Sequence, residues 1–228
     1  KVIRYGHQEI VDIDKLPRTI STMGATAYLK IAEGCDNCCT YCIIPTLRGR
    51  YRSRKFESII EEAEMLSQNG IKELNIIAQD ITRYGKDLYG RYRLSELLKE
   101  LCKLEGIEWI RLLYSYPDEF STELAETIAS ESKICKYLDI PIQHASNRIL
   151  KRMARRSSKE DILFLIKDLR RRMPDIVLRT SLIVGFPGET EEDFQELYEF
   201  VREVRFERLG VFAYSREEDT AAYDMPEQ

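Results

Sequence analysis

The chain has 228 residues, 43% of them hydrophobic and 32% charged, with a formal net charge of -4. That suffices for one large domain with a substantial core, and no run approaches the roughly 18 apolar residues of a membrane helix. The balance is not the basic footprint of a nucleic-acid binder, and Lys1-Val2-Ile3-Arg4 at the start carries no signal-peptide apolar block.

Residues 1–25 have no clear period. Asp12, Asp14, Pro17, Ser21 and Gly24 interrupt them, and they read as a lead-in or linker. The organised part begins with a short strand at Ala27–Ile31 that ends by Gly34. A cysteine-rich loop follows. Ile59, Ile60, Ala63 and Leu66 then recur at helical spacing over Phe56–Asn69, with a stop at Asn69-Gly70. The pattern repeats as a strand at Glu73–Ala78 and a helical stripe of Leu94, Leu97, Leu98 and Leu101. Next come a strand at Trp109–Tyr114, a helix at Thr122–Ser130, a strand at Tyr137–Ile142 and a short helix near Asn147–Met153. Ser158 with Asp161 resembles a capping box and opens a helix carrying Ile162, Leu165, Ile166 and Leu169. Val177–Val184 reads as a strand. Thr190 caps a helix whose first turn holds Glu191, Glu192 and Asp193, which suits the positive end of the helix dipole. Leu209–Tyr214 is the last strand, and 216–228 reads as a linker leading onward.

Strands alternating with helices imply parallel pairing, because each helix supplies a crossover. An eight-fold barrel usually needs about 250 residues. The expected class is therefore α/β: a partial (βα)6 barrel, or an open parallel sheet, over residues 26–215. Chemistry belongs at the C-terminal ends of such strands, and the cysteine loop directly follows the first one.

Four of the six cysteines crowd together: Cys35, Cys38, Cys39 and Cys42. Cys102 and Cys135 stand alone and read as buried core thiols. Clustered cysteines without a secretory signal point to metal or redox chemistry in a reducing compartment, hence the cytoplasm. Cys35, Cys39 and Cys42 can close on one iron–sulfur cube. Three thiolates on four irons leave one iron open to a substrate or cofactor. The competing readings are a structural zinc site, which wants four closed ligands, and a redox disulfide. A zinc-stabilised nucleic-acid-binding module using the basic run Arg48, Arg50, Arg52, Arg54 and Lys55 is the alternative from another class.

Glu33-Gly34-Cys35-Asp36-Asn37-Cys38-Cys39-Thr40-Tyr41-Cys42 resembles the signature of radical S-adenosylmethionine (SAM) enzymes. Ile43-Ile44-Pro45, Ile77-Ala78-Gln79-Asp80, Asp139-Ile140-Pro141-Ile142-Gln143-His144 and Ile183-Val184-Gly185-Phe186-Pro187-Gly188-Glu189-Thr190 extend the likeness to the radical SAM methylthiotransferases. Ala78-Gln79-Asp80, with Trp109-Ile110-Arg111-Leu112, is similar to the branch that methylthiolates an aspartate of a small-subunit ribosomal protein. Relatives acting on tRNA adenosine, the alternative substrate, typically read Gly-Gln-Asn there.

The resemblance implies a [4Fe-4S] cluster on Cys35, Cys39 and Cys42 that reduces SAM to methionine and a 5'-deoxyadenosyl radical. That radical would take hydrogen from the aspartate β-carbon, and a second SAM would supply the methyl group. It also implies a second [4Fe-4S] cluster in a preceding domain, an electron donor of the flavodoxin or ferredoxin type, and a substrate met on the ribosome. Cofactor contacts carried over are Tyr41 near adenine, Gln79 to the methionine amino group, and Arg155 to its carboxylate. Gln143 would face ribose or substrate, Ser181 supplies a polar strand position, Gly185 permits close backbone approach, and Phe212 borders adenine. Plainer readings stand beside these: loop packing for Tyr41, a loop cap for Gln79, a solvated basic face for Arg155, and turn geometry for Gly185. The basic run is either a solvated loop or a substrate-facing surface.

Overall fold

The computed structural model describes residues 24–228. The lead-in expected over 1–25 lies outside the described residues, apart from Gly24 and Ala25.

The elements run β1 (Thr26–Lys30), β2 (Ala32–Glu33), α1 (Ile44–Arg48), β3 (Arg52–Ser53), α2 (Phe56–Gln68), β4 (Glu73–Ile77), α3 (Lys86–Tyr89) and α4 (Leu94–Cys102). There follow β5 (Trp109–Leu112), α5 (Thr122–Ser130), β6 (Ile134–Asp139), α6 (Asn147–Arg152), α7 (Lys159–Arg172), β7 (Val177–Val184), α8 (Glu191–Val204) and β8 (Arg208–Ala213). The main sheet has six parallel strands in the order β1-β4-β5-β6-β7-β8. β1 and β8 form its two edges, so the expected (βα)6 architecture is what the chain adopts. A small antiparallel ribbon pairs β2 with β3.

One face of the sheet is apolar for a plain reason. Leu29, Leu74, Ile76, Ile110, Leu112, Leu138, Leu178 and Leu182 alternate along their strands and are fully buried against the helices. Ile59 and Leu66 of α2, Leu97 and Leu101 of α4, Ile162 and Leu169 of α7 and Leu197 and Phe200 of α8 cover them. Each such side chain contributes about 1.5–3 kcal/mol of burial. The other face is polar. Tyr28, Asn75 and Arg111 lie side by side in register across β1, β4 and β5, and Arg111 lies over the Tyr137 ring, 5.2 Å from its centroid. Arg179 bonds Asp139 at 2.7 Å.

Several expectations are displaced. β6 starts earlier than Tyr137, where Ile134 pairs with Ile110 of β5, and stops before Pro141, which brings no N–H to the ladder. The chain beyond it still follows β7: Ile140 N–H donates to Arg179 and Gln143 N–H to Ser181, both at 2.9 Å. Cys102 and Cys135 are half-buried rather than buried. Residues 216–228, expected as a linker, pack back instead: Ala222 is fully buried, its N–H donates to Thr40 at 2.8 Å, and Gly188 N–H donates to Glu227 at 2.9 Å. Among the described residues no helix is long and apolar enough to cross a membrane.

Candidate active site

The cysteine loop leaves β2 through Gly34, whose φ is +78°. A Cβ at Gly34 would lie 2.1 Å from the Arg50 carbonyl oxygen, so only glycine fits there. From that point the loop is tied to segments far away in sequence. Cys35 N–H donates to Gly49 at 3.1 Å, and Tyr51 N–H donates to Asp36 Oδ1 at 3.1 Å. Thr40 donates through N–H to Met153 and through Oγ1 to Arg152, at 3.1 and 2.9 Å, at the end of α6. Asn37 is buried, and its side chain donates to Asp80 beyond β4 and accepts from Arg156.

These ties sort the four thiols. Cys35 is buried, Cys39 and Cys42 are half-buried, and Cys38 is exposed, its Sγ turned to the Asp36 carbonyl at 3.8 Å. Burial pushes the Cys35 thiol up to about 11, against the Asn37 N–H, and the charges of Asp80, Cys39 and Cys42 add to the rise. Burial also raises Cys42, with Cys39 adding. Cys35, Cys39 and Cys42 are thus drawn inward on one short loop, while Cys38 faces solvent. Among the described residues, no three His, Cys, Asp or Glu side chains converge as a single metal ion requires. Sites of one tetrahedral zinc hold sulfur at about 2.3 Å.

Four expected cofactor residues, Tyr41, Gln143, Ser181 and Phe212, line one cavity of about 320 Å³ beside the loop. Ile183 and Tyr214 complete its apolar wall. Tyr41 meets Phe186 edge-on at 6.5 Å, and Phe186 meets Tyr214 at 5.4 Å. Gln143 holds a φ of +72°, a conformation that costs a non-glycine residue roughly 1–2 kcal/mol. Strain of this kind gathers at functional sites. Gly185 begins the turn after β7 with φ +71°, and nothing lies within 4 Å of where its Cβ would be.

Gln79 and Arg155 stand apart from this cavity. Gln79 lies two residues beyond β4, and its buried Oε1 has no hydrogen-bond partner. Arg155 is buried, not on a solvated face: its guanidinium lies 4.0 Å over the Tyr116 ring, and Nη2 donates to Pro141 at 2.8 Å. Cys39 Sγ is 3.8 Å from the Tyr116 hydroxyl, so cation, phenol and thiol form one cluster. His144 is fully buried. Its Nδ1 accepts the Ser146 N–H at 2.9 Å and its Nε2 faces Glu189 Oε1 at 3.6 Å, which joins the end of β6 to the turn after β7.

The basic run is largely spent on structure. Arg48 pairs with Glu33 at 3.1 Å, Arg52 donates to the Arg50 carbonyl, and Arg54 pairs with Glu62 and donates to the Lys30 carbonyl. The loop-holding roles of Asn37, Asp80 and Tyr116, and the docking of the tail, escaped the sequence reading. Their signals were present only as single residues inside or beside motifs, with long-range partners.

Residues 29–201 match the Radical SAM superfamily. The chain belongs to that superfamily. It is 59% identical over 226 residues to the ribosomal protein uS12 methylthiotransferase RimO of Clostridioides difficile, covering 99% of this chain and 51% of that protein. It is 58% identical over 227 residues to the protein of the same name from Geotalea uraniireducens, again covering 99% and 51%. The chain thus spans about half the length of the curated relatives it matches. Among solved structures, the radical SAM methyltransferase TsrM of Kitasatospora setae superposes with a TM-score of 0.70 at 20% identity, over 86% of this chain and 38% of that one. Coproporphyrinogen III oxidase HemN of Escherichia coli gives 0.63 at 20% identity, over 89% and 48%. These two share the fold.

The residues of this radical SAM domain fit the group its superfamily is named for. Three inward-facing thiols on one short loop supply the donor chemistry of an iron–sulfur cluster. The orphaned Gln79 Oε1 and the open space beside Gly185 leave polar and steric room for a ligand.

Proposed function

We propose that this chain is the SAM-cleaving domain of an enzyme that adds a methylthio group to the β-carbon of an aspartate in ribosomal protein uS12. The observation that carries the reading is the 59% identity to a uS12 methylthiotransferase over 226 residues, 99% of this chain.

Cys35, Cys39 and Cys42 would hold the [4Fe-4S] cluster. When bound, the cluster and SAM supply a carbon-centred radical able to remove a substrate hydrogen. The chain's own side chains do the rest. Tyr41, Ile183 and Phe212 offer an apolar wall for an adenine, and Gln143 and Ser181 offer polar contacts to a ribose. Gln79 Oε1 is an acceptor placed for an ammonium group. Arg155 offers a carboxylate a fixed fork of donors, held flat by Tyr116. Its burial makes water a poor competitor.

In this reading the longer protein supplies a second cluster from a preceding domain. An electron donor of the flavodoxin or ferredoxin type reduces the first, the substrate is met on or off the ribosome, and the enzyme works in the cytoplasm. The test uses the full-length enzyme with SAM, a reductant and a sulfur source, offered uS12 and tRNA separately. A mass increase on the uS12 aspartate supports the reading. Methylthioadenosine in tRNA with unmodified uS12 overturns it.

A further inference from the structure

We infer that Asn37, Asp80 and Arg156 form a positioning device that aims the Asn37 N–H at Cys35 and so sets how the cysteine loop holds its cluster. The inference rests on the reading of Cys35 as a cluster ligand.

Asn37 is buried, and its backbone N–H and both side-chain polar atoms are engaged. Its backbone N–H donates to Cys35 Sγ at 3.4 Å. Its Nδ2 donates to Asp80 Oδ2 at 3.1 Å, and its Oδ1 accepts from Arg156 Nη2 at 2.9 Å. Arginine only donates, so the amide oxygen must face Arg156 and the amide NH2 must face Asp80. Asp80 is fully buried and its other oxygen is already taken: Oδ1 accepts from Thr82 N–H at 3.0 Å and Thr82 Oγ1 at 2.5 Å. Each partner thus dictates the next. The Asp80 carboxylate faces the loop from behind, not the cavity. Hydrogen bonds to cluster sulfurs tune reduction potential, and outer partners of ligands govern metal retention.

The donor–acceptor logic gives a reciprocal test. Asp80→Asn, with its oxygen kept on Thr82, sets an NH2 against the Asn37 NH2. Turning Asn37 over only moves the conflict to Arg156. Asn37→Asp sets two buried carboxylates against each other. The double variant Asn37→Asp/Asp80→Asn restores a donor facing an acceptor at every contact and keeps the total charge of the pair, with the carboxylate moved to residue 37.

Full chains of wild type, both single variants and the double variant are reconstituted anaerobically with iron and sulfide. Iron release to a chelator and the EPR spectrum and midpoint potential of the reduced cluster are then measured. Each single variant is expected to release iron about tenfold faster, with a shifted potential. The double variant should return both readouts towards wild type. Arg156 is exposed, and Arg156→Ala serves should the buried variants fold poorly. It frees the Asn37 amide to turn, so Asp80→Asn should add little in that background.

Single variants that match wild type in release and potential overturn the inference. So does a double variant no better than the worse single, or full additivity of Asp80→Asn with Arg156→Ala. Failure of the wild-type chain to take up iron overturns instead the underlying reading of the thiols.

Discussion

Gly34→Ala puts the cysteine loop under a defined load. The residue sits at φ +78°, where a side chain costs roughly 1–2 kcal/mol. Its new Cβ would be 2.1 Å from the Arg50 oxygen and 2.7 Å from the Gly49 oxygen. An ordinary carbon–oxygen contact is about 3.3 Å, so the Gly49–Arg50 backbone must retreat by about 1.2 Å. That retreat strains the 3.1 Å bond from Cys35 N–H to Gly49, worth a further ~0.5–1.5 kcal/mol. The expected loss is about 1.5–3.5 kcal/mol of stability, with weaker iron retention because Cys35 moves. Gly70→Ala is the matched control: its φ is +86°, yet nothing lies within 4 Å of its Cβ position. It should pay only the backbone cost of roughly 1–2 kcal/mol. Urea unfolding of the iron-free chains measures both, and iron per chain after desalting reads the loop. Equal stability of the two variants, with wild-type iron in Gly34→Ala, would refute the reasoning.

Thiol labelling of the iron-free chain at pH 8 should modify Cys38 first and Cys35 last, since Cys35 is buried and raised to about 11, leaving roughly one thiolate in a thousand. Mass spectrometry of timed samples checks this, and comparable rates at both would contradict the placement of the loop. Cys38→Ala should keep its iron after reconstitution, whereas Cys42→Ala should lose it. Asp193 is held below the usual carboxylate range: burial opposes its ionisation, but Arg148, Ser146 and Thr190 outweigh it. Its folded value is depressed, so its contribution is complete above the unfolded value of about 3.9 and fades as pH falls through the folded one. Asp193→Asn should therefore flatten the acid limb of the stability curve, as acid titration followed by circular dichroism would reveal. Reconstituted and reduced with dithionite, this chain should release 5'-deoxyadenosine from SAM without methylthiolating a uS12 peptide. A methylthiolated product would show that the chain suffices for sulfur insertion.

Features written in local signals were legible in the sequence. Ser158 with Asp161 and Thr190 with Asp193 form complete capping boxes at the starts of α7 and α8. The strand Val177–Val184 falls where the sequence places it. Features made by distant partners were not legible. β2 and β3 are two residues each, too short to carry a period, and exist because they pair with one another. The tail has the polar composition of a linker, but Ala222 is small enough to bury beside Ile149, Met153 and Phe186. The basic run looks like a surface by charge alone. Only the fold shows that Glu33 and Glu62 neutralise two of its arginines. Tyr41, Gln143, Ser181 and Phe212 were each legible as motif positions, whereas their meeting in one cavity depends on strand register.

The spacing of Cys35, Cys39 and Cys42 is local, but the geometry of their loop is not. Its backbone and side chains are held by Gly49 and Arg50 on one side, Asp80 on a second, Arg152 and Met153 on a third, and Ala222 on a fourth. These anchors belong to the α1–β3 turn, the end of β4, the end of α6 and the docked tail. None of them stabilises the loop unless the sheet has placed all of them. A parallel sheet does so because every strand delivers its C-terminal end to the same rim, so anchors from distant parts of the chain arrive together. Solved structures of about 20% identity share this fold, and with it the common rim of strand ends. Changes at the loop's anchors, such as Asp80, alter how the thiols are held without touching a thiol.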